Sequence, residues 1–429
     1  MLTLVIMADD FTGALDTGVK FAQKGASVRV VTDWDHDISS IGPNVQVAVI
    51  DTESRHISRD EAFSRIYKIT ANAVKAGVSH IYKKTDSALR GNIGGELEAV
   101  LRAAGGNVLH FIPAFPVMGR ITKDGHHYVD DVPLDKSVFG RDPFEPVKYS
   151  SVEKIISTQS TVPVKIERSR TAAMPADEPY IAVYDAENER DLRAIANSIS
   201  EHGDLRLLAG CAGMAEYMPA IFGITGETPE LPKLSDSFLV VCGSVNAVTQ
   251  SQLAYAQKHG FTRVRLSLRE KLVPSYYGTE QGKECLARRI SECLSKKLFI
   301  IDTNDNEADE ESTLAYAKKH DITLNQLRVQ IASVLGFLVR EIKRNGAPHV
   351  LMITGGDTLL SVMGEINVNE MTPVREVAPG TILSSFTLDG KSYYIISKSG
   401  GFGRETLFCD IAEELLHANS EKTAKGAKQ

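Results

Sequence analysis

The stretch that decides the fold is residues 2–32, LTLVIMADDFTGALDTGVKFAQKGASVRVVT. An apolar run at 2–7 is followed by an amphipathic stretch from Gly13 to Lys24, and a second apolar run follows at 27–32. Short apolar runs separated by helical periodicity are typical of parallel strands connected by helices that pack on the sheet. The opening residues therefore predict an α/β fold with a doubly wound, mostly parallel sheet.

The same alternation continues toward the other end of the chain. Further apolar runs predict strands at 46–51, 80–84, 108–113, 180–185, 205–210, 238–243, 264–268, 298–302, 349–354 and 393–397. Helical periodicity separates them at 58–75, 93–104, 187–201, 247–259, 283–295 and 324–345. Residues 114–150 interrupt the pattern with turn formers and charges. A long irregular segment of this kind predicts either an excursion over a binding cleft or a β-hairpin insertion.

The length of 429 residues predicts two to three domains. Residues 223–236, GITGETPELPKLSD, are rich in glycine, proline and polar residues, as domain linkers are. We therefore expect a first domain at 1–228 and a second at 236–418, each a mostly parallel sheet flanked by helices, with the active site in the cleft between them. The polar stretch at 419–429 predicts a disordered tail.

Composition excludes several classes of protein. The formal net charge of −7 argues against a general nucleic-acid binder, which carries a basic surplus. The sequence holds no run of 18 apolar residues, and its start reads as a buried strand and not as a signal peptide, so we expect no membrane segment and a cytoplasmic location. Five cysteines without a C-x-x-C pair predict free thiols. A homodimer is the expected oligomeric state from prevalence alone.

Three glycine-bearing loops of the second domain each follow an apolar strand: CGSVN at 242–246, TGGDT at 354–358 and SGGFG at 399–403. In a parallel sheet these strand ends share one edge, where ligands bind. Glycine allows close approach of the backbone, and a helix start suits a phosphate group. The three loops together favour a nucleotide site. The sequence contains no P-loop. No G-x-G-x-x-G follows a strand, which disfavours a nicotinamide dinucleotide.

Two adjacent carboxylates, Asp9 and Asp10, stand where the first strand ends. Buried carboxylates are costly unless they are used or well bonded. One interpretation is that Asp10 or Thr12 caps the following helix. Another is that a carboxylate here accepts a proton from a sugar hydroxyl or holds a substrate hydroxyl. Capping does not exclude function, so both interpretations stay open.

The fourth strand ends in YKKTDSALRGN at 82–92, with adjacent lysines at Lys83 and Lys84. Strand alternation sends the two to opposite faces, so one could extend to water while the other faces the site. Arg55, one lysine and Arg90 could clamp a small carboxylate. The alternative is a set of structural salt bridges with Asp9, Asp10 and Asp86.

Four motifs resemble the four-carbon acid sugar kinase family over nearly the whole chain: ADDFTGALDTG at 8–18, YKKTDSALRGNIGGEL at 82–97, TGGDT and SGGFG. The resemblance implies an N-terminal domain that binds the sugar acid and a C-terminal domain that binds ATP with Mg²⁺. Residues 119–148 look most similar to the D-threonate members. The implied reaction is phosphorylation of the terminal hydroxyl of D-threonate to D-threonate 4-phosphate, with D-erythronate or 3-oxotetronate as alternative substrates.

The resemblance implies that Asp10, Arg55 and residues 83–86 line the acid-sugar pocket and that Ser244, residues 355–358 and Gly401 line ATP. Together with the residues singled out above, these positions give the following candidates. The candidate general bases are Asp10 and Asp357, and Asp357 is also a candidate Mg²⁺ ligand; the sequence assigns no other metal ligand. The substrate-binding candidates are Asp9, Asp10, Arg55, Tyr82, Lys83, Lys84, Thr85, Asp86 and Arg90. The nucleotide-binding candidates are Ser244, Gly355, Gly356, Asp357, Thr358, Gly400 and Gly401.

Two other functions compete with a kinase. An aldolase acting on small hydroxy acids would use Lys83 or Lys84 as a Schiff base. A sugar-acid sensor would bind its ligand without chemistry, but it has no need of a second, nucleotide-binding domain.

Overall fold

The structure is a computed structural model that describes residues 2–142, 146–202, 205–230, 232, 234, 237–305, 311–346 and 350–414. The chain divides into two compact units, Met1–Pro229 (unit 1) and Glu230–Gln429 (unit 2). Each unit is an α/β structure with a largely parallel sheet, as the sequence predicts. The predicted tail at 419–429 lies outside the described residues.

Unit 1 is built on a parallel sheet. Its strands are β1 Leu4–Ala8, β2 Val28–Val31, β3 Val47–Asp51, β4 His80–Lys84, β5 Val108–Ile112, β6 Arg120–Lys123, β7 His126–Val129, β8 Val132–Pro133, β9 Val164–Glu167, β10 Tyr180–Tyr184 and β11 Leu207–Gly210. The parallel sheet has the order β2-β3-β1-β4-β11-β5-β10-β9. Strands β1, β3, β5 and β10 are buried along their whole length, which explains their continuous apolar runs.

The helices of unit 1 follow the predicted positions closely and add three short ones. They are α1 Phe11–Ala22, α2 Arg59–Lys75, α3 Ile93–Ala104, α4 Val152–Ser157, α5 Glu189–Glu201, α6 Ala212–Ala215 and α7 Met218–Ile221. A capping box between Ser58 and Glu61 fixes the start of α2. The helix α3 ends at Gly105, whose left-handed conformation closes its last turn.

The irregular segment contains a β-hairpin insertion, one of the two alternatives the sequence left open. Strands β6, β7 and β8 form a separate antiparallel sheet. Asp124 and Gly125 make the first turn with φ of 50° and 73°. Buried His127 attaches the hairpin to the loop after β4, because its ring nitrogens contact the Ser87 carbonyl at 3.0 Å and the Thr122 hydroxyl at 3.1 Å.

Unit 2 has a mixed sheet. Its strands are β12 Phe238–Cys242, β13 Thr262–Arg265, β14 Leu298–Asp302, β15 Val350–Thr354, β16 Glu370–Ala378, β17 Thr381–Leu388 and β18 Lys391–Lys398, in the order β13-β14-β12-β15-β18-β17-β16. Its helices are α8 Ala247–Lys258, α9 Leu268–Leu272, α10 Glu280–Leu294, α11 Thr313–Lys319, α12 Leu324–Arg344 and α13 Gly356–Glu365. The strands from β13 to β18 in that order pair in parallel, but β17 pairs antiparallel with both β18 and β16.

No helix in the described ranges is both long and apolar enough to cross a bilayer. The five cysteines are free thiols; Cys409 is half-buried and the other four are buried.

Candidate functional site

Strand register brings the predicted residues of unit 1 to one edge of the sheet. Strand β1 lies between β3 and β4, and Ala8 is in register with both Asp51 and Lys84. The segments that follow these strands therefore leave the sheet at the same level. Asp9 and Asp10 follow β1, and Arg55 follows β3. The carboxyl edge of a parallel sheet is the usual place for a ligand.

Arg55 is the centre of an ion cluster at this edge. Its guanidinium lies 2.7 Å from Asp9 Oδ2, 3.1 Å from Asp10 Oδ2 and 3.6 Å from Asp86 Oδ1. The Nε–H also donates to Asp9 Oδ2 at 2.8 Å. Three carboxylates from two loops thus converge on one buried cation.

Lys84 and Arg90 complete this cluster, which we call the strand-end cluster. Lys84 Nζ lies 3.2 Å from Asp9 Oδ1 and 3.8 Å from Asp10 Oδ1. Arg90 forms a bidentate ion pair with Asp86, in which Nε and Nη2 each donate to a carboxylate oxygen at 2.9 Å. Its Nη1 also lies 3.2 Å from Asp142 Oδ2. The salt-bridge alternative for these residues is therefore present in the structure.

The cluster is buried except at two positions. The side chains of Asp10 and Arg90 keep 27% and 25% of their surface exposed. The side chains of Asp9, Arg55, Lys84 and Asp86 are at most 10% exposed. A ligand approaching this edge would therefore meet Asp10 and Arg90 first.

The charges in the strand-end cluster stabilise one another. Burial alone would raise the pKa of Asp9, but Arg55 and then Lys84 outweigh burial and hold that pKa well below its ordinary value. Burial likewise opposes ionisation of Asp86, but Arg90 and Arg55 lower its pKa. The pKa of Lys84 is raised, because Asp9 and Asp10 outweigh the effect of burial. Asp9, Lys84 and Asp86 are therefore ionised at neutral pH.

Asp10 also begins helix α1. It is the N-cap residue, and its Oδ1 accepts a hydrogen bond from Gly13 N at 3.0 Å. A Cβ at Gly13 would lie 2.4 Å from both Asp10 Oδ1 and Lys84 Nζ, so a larger residue there would have to displace these two paired groups. The capping interpretation is confirmed, and the remaining Asp10 surface is still open to a ligand.

Two predicted substrate-binding residues lie away from the exposed side of the cluster. Tyr82 is buried and donates its hydroxyl to the Cys211 carbonyl at 2.7 Å. Lys83 is buried on the other face of the sheet, where Nζ pairs with Glu96 at 3.1 Å. Neither Lys83 nor Lys84 extends to water, because Lys83 pairs with buried Glu96 and Lys84 pairs with buried Asp9. Thr85 donates its N–H to the Gly210 carbonyl at 2.8 Å, and within the described residues its buried hydroxyl has no partner.

Asp51 is a functional candidate that the sequence reasoning missed. It is fully buried at the end of β3, and within the described chain its Oδ2 accepts no hydrogen bond. Burial, then Glu53 and Asp10, raise the pKa of Asp51 well above its ordinary value. The signal was its position at a strand end, the same signal that identified Asp9 and Asp10.

A cavity of about 370 Å³ adjoins the cluster within unit 1. Its lining includes Arg55 and Arg90 together with residues 146–149, which follow the hairpin. Asp10 is not part of the lining. Arg90 is therefore accessible from this cavity as well as from the cluster.

The glycine loops of unit 2 converge, as the sequence predicts for a shared sheet edge. A side chain at Gly400 would place its Cβ 2.7 Å from Ser244 Oγ, and one at Gly355 would place it 3.8 Å from Ser244 N. Gly355 has φ of 101°, a backbone conformation that favours glycine, and helix α13 begins at the next residue. The three loops therefore surround Ser244.

A hydrogen-bond network through Thr249 and Lys398 connects the loops that contain Ser244 and Gly400. Ser244 Oγ lies 3.4 Å from Thr249 Oγ1, which donates to the Gly400 carbonyl at 2.7 Å. Lys398 Nζ also reaches Thr249 Oγ1, at 3.2 Å. Thr249 and Lys398 were missed from the sequence, because neither stands in a glycine loop.

Asp357 lies in the first turn of α13, and its side chain is 43% exposed. Arg328 NH1 lies 3.4 Å from its carboxylate. No group of three or more metal-ligating side chains occurs among the residues that the structure describes. Mg²⁺ in phosphoryl-transfer sites commonly uses one or two carboxylates together with substrate phosphates, so an exposed carboxylate beside the glycine loops fits that ion.

Two domain families match the two units. A family described as a sugar-binding N-terminal domain matches residues 4–218, and one described as a nucleotide-binding C-terminal domain matches residues 239–408. Among curated proteins, D-threonate kinase of Salmonella typhimurium is 31% identical over 95% of this chain and 97% of its own. D-erythronate kinase of Heliobacterium modesticaldum is 28% identical over 99% of both chains. A 3-oxo-tetronate kinase of Cupriavidus necator is 25% identical over 95% of this chain and 96% of its own.

Two crystal structures share the fold. One, from Salmonella typhimurium, has a TM-score of 0.77 at 20% identity and covers 95% of this chain and 98% of its own. Another, from Haemophilus influenzae, has a TM-score of 0.71 at 20% identity and covers 96% of this chain and all of its own. At this identity the likeness shows the fold alone.

Proposed function

The chain belongs to the four-carbon acid sugar kinase family, and on this premise we propose that it transfers the γ-phosphoryl group of ATP to the terminal hydroxyl of D-threonate. The observation that carries the kinase chemistry is the convergence of three glycine loops around Ser244 in unit 2. The choice of D-threonate rests on the relative from Salmonella typhimurium, which matches over nearly its whole length.

The strand-end cluster of unit 1 supports a polyhydroxy acid as the ligand. Its three cations, Arg55, Lys84 and Arg90, are matched by Asp9, Asp10 and Asp86, and Arg90 also contacts Asp142. Without a net positive surplus, a ligand with a carboxylate alone would bind weakly there, so hydroxyl groups must contribute much of the affinity. Sugar hydroxyls suit the cluster better, because they donate to carboxylates and accept from guanidinium or ammonium groups. We place the hydroxyls at Asp10 and the acid group at Arg90.

ATP is the nucleotide that the proposal assigns to unit 2. Ser244, Gly355, Gly356, Thr358, Gly400 and Gly401 would contact its phosphates, and the helix that begins at Gly356 directs its positive end to this edge. Asp357 would hold Mg²⁺, which neutralises phosphate charge during transfer. The rest of the reaction requires positioning by the protein more than covalent chemistry.

We assign the role of general base to Asp10 and not to Asp357. Asp10 is the exposed carboxylate of the cluster that would hold the sugar acid. It would accept the proton of the attacking hydroxyl, while Arg55 and Gly13 N keep the carboxylate oriented. Asp357 belongs to the nucleotide loops and already faces Arg328.

The arrangement of the lysines disfavours the aldolase alternative. A Schiff base requires a neutral amine near physiological pH. Lys84 has a raised pKa, because Asp9 and Asp10 outweigh its burial, and Lys83 is paired with Glu96 in the interior. Neither lysine is presented as a nucleophile.

A coupled ADP-release assay with Mg²⁺-ATP tests the proposal. The panel is D-threonate, D-erythronate, L-threonate, L-erythronate and 3-oxotetronate, each with a blank that lacks the acid. We expect D-threonate to have the highest kcat/KM. Faster turnover of another acid would change the substrate but keep the reaction, and no turnover by protein that binds ATP would contradict the kinase for all five acids.

A further inference from the structure

Lys398 is a buried lysine whose ammonium contacts only neutral oxygens. Its Nζ donates to the Ser399 carbonyl at 2.9 Å, the Gly400 carbonyl at 3.1 Å and Thr249 Oγ1 at 3.2 Å. The residue has no exposed surface, and among the described residues no carboxylate lies within ion-pair distance of its ammonium. A buried charge without a counter-charge is unfavourable, so this position requires an explanation beyond packing.

These contacts determine where the neighbouring N–H groups point. In a planar trans peptide the C=O and the N–H of the same unit point in opposite directions, and no cis peptide occurs in the described chain. Because the Ser399 and Gly400 carbonyls face Lys398, the N–H groups of Gly400 and Gly401 face away from it. Neither N–H has a hydrogen-bond partner among the described residues.

The two N–H groups lie where a ligand can reach them. Gly400 is half-buried and Gly401 is exposed. Gly400 also approaches Ser244 closely, so its N–H belongs to the edge where the three glycine loops meet. Successive N–H groups that point to one side form a concave site for an anion. The buried ammonium behind them adds a positive charge that such an anion would compensate.

We propose that Lys398 is a positioning residue for the nucleotide phosphates: it holds two carbonyls inward so that the N–H groups of Gly400 and Gly401 bind phosphate oxygens, and the bound phosphate supplies the missing counter-charge. The proposal rests on ATP binding to unit 2. It deepens that function, because it identifies the lysine through which the SGGFG loop recognises phosphate.

The charge on Lys398 provides an independent measurement. Burial lowers its pKa to about 8 in the free protein. The neighbouring titratable group is Cys242, and burial raises the pKa of that thiol to about 12, so it stays neutral through this range. Phosphate favours the protonated lysine, so ATP affinity should fall as the pH rises above about 8. A purely structural lysine would give no such dependence.

The test compares Lys398→Met with Lys391→Met, which changes the exposed lysine at the start of the same strand. Calorimetry measures ATP and D-threonate affinity separately for the full chain. For Lys398→Met we expect ATP binding to weaken about 10- to 100-fold, as for loss of an interaction with a charged group. D-threonate affinity and the thermal midpoint without ligand should not fall. Lys391→Met should match the wild type throughout.

Several outcomes separate this proposal from the proposed function. If the wild type binds ATP and Lys398→Met binds it equally well, the role of Lys398 is wrong but the kinase stands. If Lys398→Met does not fold, the wild-type pH series decides, and an affinity that stays constant between about pH 7 and 10 overturns the role. If the wild type binds no ATP, the premise itself is wrong.

Discussion

Arg55 Nη1 lies 3.1 Å from Asp10 Oδ2, and of these two paired side chains only Asp10 is substantially exposed. The buried arginine also pairs with Asp9 and Asp86, so its position is over-determined by its surroundings. The exposed carboxylate is therefore held by a rigid partner on one side and by Gly13 N on the other. Preorganisation of this kind is what a general base requires.

Replacing Asp10 with asparagine tests the role of the carboxylate. Asparagine is as good an N-cap as aspartate, so helix α1 keeps its first turn. We expect turnover to fall roughly 100- to 10,000-fold, as for loss of a general base, with ATP affinity unchanged. Asp37→Asn is the matched control, because Asp37 caps a short helix at 38–40 away from the cluster. Wild-type turnover in Asp10→Asn would assign the base elsewhere.

Removing Arg55 tests the energetics of the cluster. Arg55→Met leaves three carboxylates with one cation fewer in a buried site, which costs about 3–5 kcal/mol. The midpoint temperature for thermal unfolding of unit 1, monitored by hydrogen exchange, should fall by about 10 °C. Lys68→Ala breaks an exposed pair with Asp35, at 2.6 Å, and should change stability by less than about 1 kcal/mol. Equal effects from the two variants would mean that the cluster contributes no more than a surface pair.

Asp86 gives a prediction about acid stability. Its pKa in the folded protein lies below the ordinary value of 3.8, so below that pH the unfolded state binds more protons than the folded state. The stability that Asp86 contributes is therefore complete above about pH 4 and is lost as the pH falls through its folded pKa. Urea unfolding should give the wild type a higher free energy of unfolding than Asp86→Asn. This difference should be constant from about pH 7 to 5 and should become smaller below pH 5. A difference that widens in acid would contradict the ion pair with Arg90.

Gly355 tests the nucleotide edge through its backbone. At φ of 101° any side chain is strained, and the strain costs about 1–3 kcal/mol. Gly355→Ala should weaken ATP binding about tenfold or more, because relief of the strain moves the start of α13. Gly364→Ala, later in the same helix, has open space around the new methyl group. Calorimetry should give Gly364→Ala wild-type affinity, and equal losses in both would show a general effect of helix substitution.

The hydrophobic pattern of the sequence predicted most of the strands and helices, because buried parallel strands have continuous apolar sequences. Strand β4 was predicted at the residues where it is found, and the helix at 93–104 likewise. The antiparallel pair β16 and β17 was missed, although Asp389 and Gly390, both with positive φ, form a recognisable hairpin turn before β18. Strand β13, the second strand of unit 2 along the chain, was expected at 264–268 and begins two residues earlier, at Thr262.

The candidate site was only partly readable from the sequence. The rule that ligands bind at the carboxyl ends of parallel strands identified Asp9, Asp10 and Arg55, because each follows a buried strand. The same rule did not distinguish Lys83 from Lys84. The face of the sheet on which each lysine is paired depends on the packing of α3, which brings Glu96 to Lys83. Lys398 was missed because a lysine at the end of a strand gives no sign of what its ammonium contacts until the fold brings Thr249 beneath the glycine loops.

The most direct test of the central claim is the proton-coupled phosphorus NMR spectrum of the product made from Mg²⁺-ATP and D-threonate. Phosphate on the terminal oxygen couples to the two methylene protons of that carbon and gives a triplet. We expect that triplet, together with ADP. A doublet would place the phosphate on an inner hydroxyl, a singlet would indicate an acyl phosphate or free phosphate, and either result would contradict transfer to the terminal hydroxyl.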